Sequence, residues 1–262
     1  MTFDARTVAL LFVSGAVAGT INSVAGGGSL VTFPTLLRVG IPPVAANGTN
    51  TVALVPGSAS AFWAYRDVMA GARPLALAMA VPSVVGGITG ACLALRVSDK
   101  VFAALVPWLI LGATALFAAQ GPLGAWARRR ADEAAGGRSA AWRYATLALF
   151  QFAVAIYGGF FGAGIGILML AALGLMGERD IHRMNALKNL AAVCINGVAS
   201  VTFALGGKVQ WLAALIVALG AIAGGYGGAG IAQKLGQKSV RALVTGIGVS
   251  ITAWMFYQRL TG

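Results

Sequence analysis

Gly19-Thr-Ile-Asn-Ser-Val-Ala-Gly-Gly-Gly-Ser-Leu-Val-Thr-Phe-Pro34 is the stretch on which the reading of this chain turns. It is an apolar segment broken in the middle by Gly26, Gly27 and Gly28, with Asn22 before the break and Ser29 after it. In a water-soluble protein such a stretch is a loop. Here apolar sequence flanks it on both sides, and irregular backbone at lipid depth is tolerated only where protein buries it or where it lines a cavity.

The composition places that break in a membrane. Of 262 residues, 58% are hydrophobic and 10% charged, with a mean hydropathy of +0.83. Soluble domains carry about 25% charged residues. Several apolar runs reach the roughly 20 residues that cross a hydrocarbon core, so the fold class expected is an all-α polytopic membrane protein. The net charge of +12 sits at the ends of apolar runs, a matter of membrane topology and not of nucleic-acid binding. Cys92 and Cys194 fall inside apolar segments, so small-residue packing is expected of them and not a disulfide framework. No separate signal peptide is expected, because the first apolar run follows Arg6 and continues without a cleavage-like site.

The runs follow one another at 7–25, 29–37, 44–65, 75–95 and 101–119, then at 144–161, 167–175, 181–205, 211–232 and 240–257. Between the two sets lies a polar stretch, 120–143, holding Arg128, Arg129 and Arg130. Displacing the chain by 138 residues sets Gly26 on Gly164, Gly28 on Gly166, Asn47 on Asn185, Gly86 on Gly224 and Gly90 on Gly228. Arg96 then meets Lys234, and Lys100 meets Lys238. The chain is therefore expected to hold two copies of one unit, residues 1–120 and 144–262, joined by an Arg-rich linker at 121–143. Internal duplication of this kind is a common way to build a transporter.

Charge indicates how the copies face. If each glycine break makes a hairpin followed by three full spans, the Lys and Arg outside the spans divide twelve against six, with the linker on the rich side. Four full spans per half give ten against eight. The first arrangement satisfies the positive-inside rule and predicts inverted repeats, a cytoplasmic linker and two periplasmic termini. The bias comes from the linker and the second half. Gly86 with Gly90, and Gly220 with Gly224 and Gly228, stand four apart, the spacing of small-residue helix seams in lipid.

None of the seven carboxylates lies in the middle of an apolar run. A cation site or a carboxylate proton relay usually places an acid within the membrane, so the sequence argues against both. The one histidine, His182, stands beside Arg183 at the start of a span and is read as interfacial. With no Cys/His metal spacing and no nucleophile–base pair, neither an enzyme, a metal site nor a cofactor is expected. What lies within the spans is neutral-polar and basic: Asn47, Thr49, Asn50 and Thr51 in one cluster, Asn185, Lys188, Asn189 and Asn196 in the other. Packing accounts for such residues as interhelical hydrogen bonds, and for Lys188 as a snorkelling side chain. Recurrence in both halves favours a site.

A short helix that starts inside the membrane presents unpaired N–H groups and the positive end of its dipole. Glycines before it permit the turn and a close backbone approach. The expected binding residues are therefore Asn22, Gly26, Gly27, Gly28, Ser29, Asn47, Asn50 and Thr51 from one half. The other half contributes Gly164, Gly166, Asn185, Lys188 and Asn189, and the ligand is a small anion.

Ala25-Gly-Gly-Gly-Ser-Leu, Phe33-Pro34, Gly40-Ile-Pro-Pro and Ala46-Asn-Gly-Thr-Asn resemble the TauE/SafE sulfite-exporter family, and Gly158-Gly-Phe-Phe-Gly-Ala-Gly-Ile-Gly166 resembles the equivalent motif of its second half. The second break departs from an unbroken glycine run by Ala163 and Ile165. The likeness covers nearly the whole chain. It implies a multi-pass inner-membrane carrier whose partners are the lipid bilayer and a small anion such as sulfite or an organosulfonate. The alternatives are an anion channel, a carrier of another small organic anion and a non-transporting scaffold.

Overall fold

The computed structural model describes residues 3–24, 27–64, 66–69, 71–133 and 140–261. Its elements are α1 (Ala5–Val24), α2 (Ser29–Arg38), α3 (Pro43–Ala64), a 3-10 turn (Arg66–Met69), α4 (Arg73–Arg96), α5 (Asp99–Glu133), α6 (Ala140–Phe160), α7 (Ile165–Leu175), α8 (Ile181–Leu205) and α9 (Trp211–Thr261). The all-α expectation holds. Among the described residues, four stretches are long and apolar enough to cross a membrane: Ala5–Asn22, Arg73–Arg96, Asp99–Ala127 and Ile181–Leu205.

Local chemistry fixes many of the ends. Asp4 accepts from the Thr7 N–H at 3.0 Å and caps α1; Asp180 caps α8 through the His182 N–H at 2.9 Å. Each satisfies one of the orphan amides of a first turn. Asp99, in the first turn of α5, reaches across to accept from Val44 N–H at 2.9 Å, tying the starts of α3 and α5 together. Gly40, Gly177 and Gly207 turn the chain after α2, α7 and α8 in the left-handed region, where a side chain is costly.

The helices pack through small residues. α1 and α9 run parallel, with Gly15 over Val217 and Gly19 over Ala221; Cβ atoms there would stand 2.3 and 2.0 Å from backbone oxygens. Gly220 and Gly224 approach α1 equally closely, at 2.1 and 1.8 Å. α4 and α6 form a second parallel seam, with Gly90 on Ile156 and Gly159 on Gly87. Packing thus accounts for Gly86, Gly90, Gly220 and Gly224. The surroundings of Gly228 lie outside the described residues. Outward faces carry large apolar side chains, among them Leu149, Val201 and Leu215, and exposed tryptophans stand near helix ends at Trp63, Trp142 and Trp211, as in a membrane-interface belt.

Two boundaries differ from expectation. The polar stretch after residue 119 is not a loop at its start: α5 continues to Glu133. Arg, Ala and Glu are good helix formers, so polarity there marks the exit from lipid and not the end of the helix. The last two apolar runs, expected as spans separated by a loop, belong to one helical element, α9. It is bent. Gln210 N–H donates to Thr49, Asn47 donates to Phe160 O, Phe160 packs on Phe102, and Trp108 of the same helix meets Phe256. A straight helix would hold Gln210 and Phe256 roughly 69 Å apart, farther than that series of contacts reaches.

Candidate functional site

The first break closes upon itself. Gly27 takes a left-handed φ of 95°, and a Cβ on it would stand 2.6 Å from the Phe117 ring. Gly26 lies outside the described residues. Gly28 caps α2, and its N–H donates to Asn22 Oδ1 at 2.8 Å. Asn22 is exposed and holds the N–H of the N-cap residue itself, while no side chain caps the first turn of α2. Asn50, 2% exposed, donates to Ser29 Oγ at 3.1 Å and accepts from the Thr32 hydroxyl. Thr51 donates to Asn47 O within its own helix, while Thr49 accepts from Gln210 N–H at 2.9 Å.

The second break is built differently. Gly162 and Gly164 take φ of 84° and 81°, and no side chain caps the start of α7 at Gly164. Tyr157, one turn before the end of α6, donates its hydroxyl to Ala163 O at 2.8 Å and pins the turn. The Lys188 stem lies on Gly166: a Cβ there would meet Lys188 Cδ at 3.3 Å. Lys188 is half-buried, with no hydrogen bond or ion pair among the described residues. Asn189 is 8% exposed and likewise makes no hydrogen bond among them. Asn185 donates to Ile181 O on its own helix at 2.9 Å. Asn196 Oδ1 lies 4.0 Å from where a Cβ on Gly162 would stand.

The two breaks are neighbours. Ala113 lies against Gly164 and Phe117 against Gly27, one turn apart on α5. Phe33 of α2 meets Phe161 edge-on at 5.2 Å, and Asn47 Nδ2 donates to Phe160 O at 2.9 Å. Lys188 and Asn50, which coincide under the 138-residue displacement, lie over equivalent ends of α7 and α2. The sequence reading did not single out Tyr157 or Thr32. A lone hydroxyl in an apolar run carries no signal until its partner is known.

Electrostatically, the α7 end is unbalanced. It joins a helix start without a side-chain cap, a positive dipole end and the stem of a lysine. Among the described residues no group of three His, Cys, Asp or Glu could hold a metal. Toward the linker, a cleft of about 190 Å³ opens between Leu75, Arg143, Tyr144, Met176, Gly177 and Glu178. There Arg143 donates to Met176 O and so caps the C-terminal end of α7.

Such a bundle, apolar outside and interrupted twice within, defines a polytopic helical membrane protein with a polar centre at its helix breaks. The chain belongs to the TauE/SafE family: the model described as Sulfite exporter TauE/SafE matches residues 11–255. It is 30% identical over 264 residues to a Haemophilus influenzae protein named "Probable membrane transporter protein", covering 96% of this chain and 95% of that one. A Sinorhizobium protein, "Probable membrane transporter protein ORF9", is 29% identical over 93% of this chain and 90% of its own length. "Probable membrane transporter protein YfcA" of Escherichia coli is 29% identical over 95% and 89%. No solved structure gives a significant match.

Proposed function

We propose that the protein is a secondary carrier for a small sulfur oxyanion, sulfite or an organosulfonate, and that the anion rests on the N-terminal end of α7 beside Lys188. The observation that carries this is the Lys188 stem lying on Gly166 at a helix start with no side-chain cap. Positive charge on a positive dipole end is unfavourable unless an anion joins them, and helix starts are ready anion sites. Asn189 and Asn196 stand on the same helix as Lys188 with side-chain amides to offer. The family description and the names of the relatives support transport.

The carrier reading includes inverted repeats with alternating access. Its support is geometric. Displaced by 138 residues, the starts of α3 and α4 at Pro43 and Arg73 fall on the starts of α8 and α9 at Ile181 and Trp211. Gly48 near the start of α3 packs on Phe203 near the end of α8. Met69 just after α3 and Met184 near the start of α8 border the same buried cluster, so the two mates run in opposite directions. On this reading residues 1–120 and 144–262 are the repeats, 121–143 is the cytoplasmic linker, and both termini face the periplasm across the inner membrane. Export of an anion from a cell that is negative inside is driven by the membrane potential.

The test is sulfite flux in proteoliposomes. Wild-type protein should show flux and counterflow exchange, and Lys188→Gln should lower both by about an order of magnitude or more. Flux that survives the substitution unchanged ends the assignment.

A further inference from the structure

The anion reading uses one side of the second break, the start of α7. The other side, the end of α6, gathers oxygens for which the described residues show no donor. Phe161 N–H and Gly162 N–H both bond to Tyr157 O, at 2.9 and 3.2 Å, so the turn passes over the Gly158 carbonyl. Gly162 has no side chain, and the place its Cβ would fill is 3.0 Å from Gly158 O and 4.0 Å from Asn196 Oδ1. Asn47 enters from α3 fully buried. Its Nδ2 is fixed on Phe160 O at 2.9 Å, which keeps the other half of the amide at the same helix end. That other half, Oδ1, is buried with no hydrogen-bond partner.

An orphaned acceptor of this kind carries its desolvation cost with no hydrogen bond to offset it, and it stands where the α6 dipole ends negative. Gly158 O, Asn47 Oδ1 and Asn196 Oδ1 are all neutral hard-oxygen acceptors. Such ligands suit alkali and alkaline-earth cations and not soft metals. No carboxylate lies in an apolar run, so little offsets a double charge, and the absence of a side chain at Gly162 leaves Gly158 O and Asn196 Oδ1 uncovered on that side. Unwound carbonyls at half-helix ends hold ions of this kind in carriers. Lys188, two turns before Asn196 on α8, bonds to none of these oxygens.

We propose that the C-terminal end of α6 is a sodium site, formed by Gly158 O, Asn47 Oδ1 and Asn196 Oδ1 over Gly162. A carboxylate-free membrane centre can hold a cation in this way through amide and carbonyl oxygens alone. The ion and the anion would occupy opposite ends of two half-helices that meet at one turn. Binding of sodium does not rest on the anion reading; only its coupling to transport does.

The experiment measures the unfolding temperature of the purified full-length protein in detergent, without any sulfur oxyanion. Sodium chloride is exchanged for choline chloride at constant chloride. Sodium should raise the unfolding temperature and saturate, because an ion that binds the folded state stabilises it by mass action. Asn47→Ala should need about tenfold more sodium for half the effect, as should Asn196→Ala, a half-buried position that threatens folding less. Equal temperatures in sodium and choline overturn the proposal. So does a wild-type sodium response in the folded Asn196→Ala protein, and an equal response to potassium overturns the assignment to sodium. With no oxyanion present, failure here leaves the anion reading standing, and loss of the anion reading leaves the sodium response intact.

Discussion

The first and second breaks share an architecture and differ in how their polar groups are satisfied. In the first, Asn22 takes the Gly28 N–H and Asn50 holds Ser29 and Thr32, all within one repeat. Neither helix start has a side-chain cap, but in the second break the position equivalent to Asn50 is Lys188, stem on Gly166, with no protein partner among the described residues. On the repeat reading, two copies of one unit have diverged in chemistry while each keeps its break. Around the first, polar side chains bond one another; at the second, the proposed anion would complete the set. Internal symmetry would then supply the scaffold, and the departure from symmetry the proposed site.

The substitution that strikes hardest at this contrast is at the charge. Lys188→Gln should lower sulfite flux about 10- to 100-fold, the worth of one charge-assisted hydrogen bond. The unfolding temperature should not fall, because no protein contact of the ammonium is lost. Asn50→Ala should do the reverse, lowering stability by about 1–3 kcal/mol because Ser29 and Thr32 lose a buried partner. Flux per folded molecule should stay within a few-fold. Should Asn50→Ala cost as much flux as Lys188→Gln, both breaks hold the anion and the contrast fails.

Glycine substitutions sharpen the same point. At Gly27 an alanine meets the Phe117 ring at 2.6 Å with a left-handed φ, so Gly27→Ala should destabilise by about 1–3 kcal/mol. Gly166 is inside α7 with only the flexible Lys188 stem nearby, at 3.3 Å. There alanine should be neutral, or stabilising by up to about 1 kcal/mol through helix propensity, yet it should weaken sulfite binding by moving the Lys188 stem. Thermal unfolding with and without sulfite separates the two effects.

How much of this was legible in the sequence follows from what each feature needs. The breaks were, because Gly26-Gly27-Gly28 and Gly162 with Gly164 cluster too closely to form a four-residue packing seam and interrupt an apolar run in both halves. The Lys188 and Asn50 pairing was, because the displacement that aligns the glycines aligns them too. The internal bonding of the first break was not: Asn22 and Asn50 are polar residues near a break on either reading, and only side-chain direction separates a structural partner from a ligand. The extension of α5 to Glu133 was missed because polarity was taken as the end of a helix, when Arg-rich sequence continues one readily. The continuity of α9 was missed for the same reason at Gln233-Lys234 and Gln237-Lys238.

The smallest effect tests the quiet side of the comparison. Asn22→Ala removes the acceptor of the Gly28 N–H, and loss of one such hydrogen bond costs about 1 kcal/mol. For this chain that is a fall of a few degrees at most in unfolding temperature. The shift that sulfite adds to that temperature should be unchanged, since the freed amide is at α2 and the anion is at α7. The breaks adjoin α5 only one turn apart, at Phe117 and Ala113, so a ligand large enough to bridge them would feel the new donor. Taurine or sulfoacetate therefore makes the stricter probe. If the thermal shift of a long sulfonate changes in Asn22→Ala while that of sulfite does not, the site is sulfite-sized at α7 and extends toward α2 for larger cargo. If both change, the first break is part of the binding centre after all, and its side chains bond one another only between turnovers.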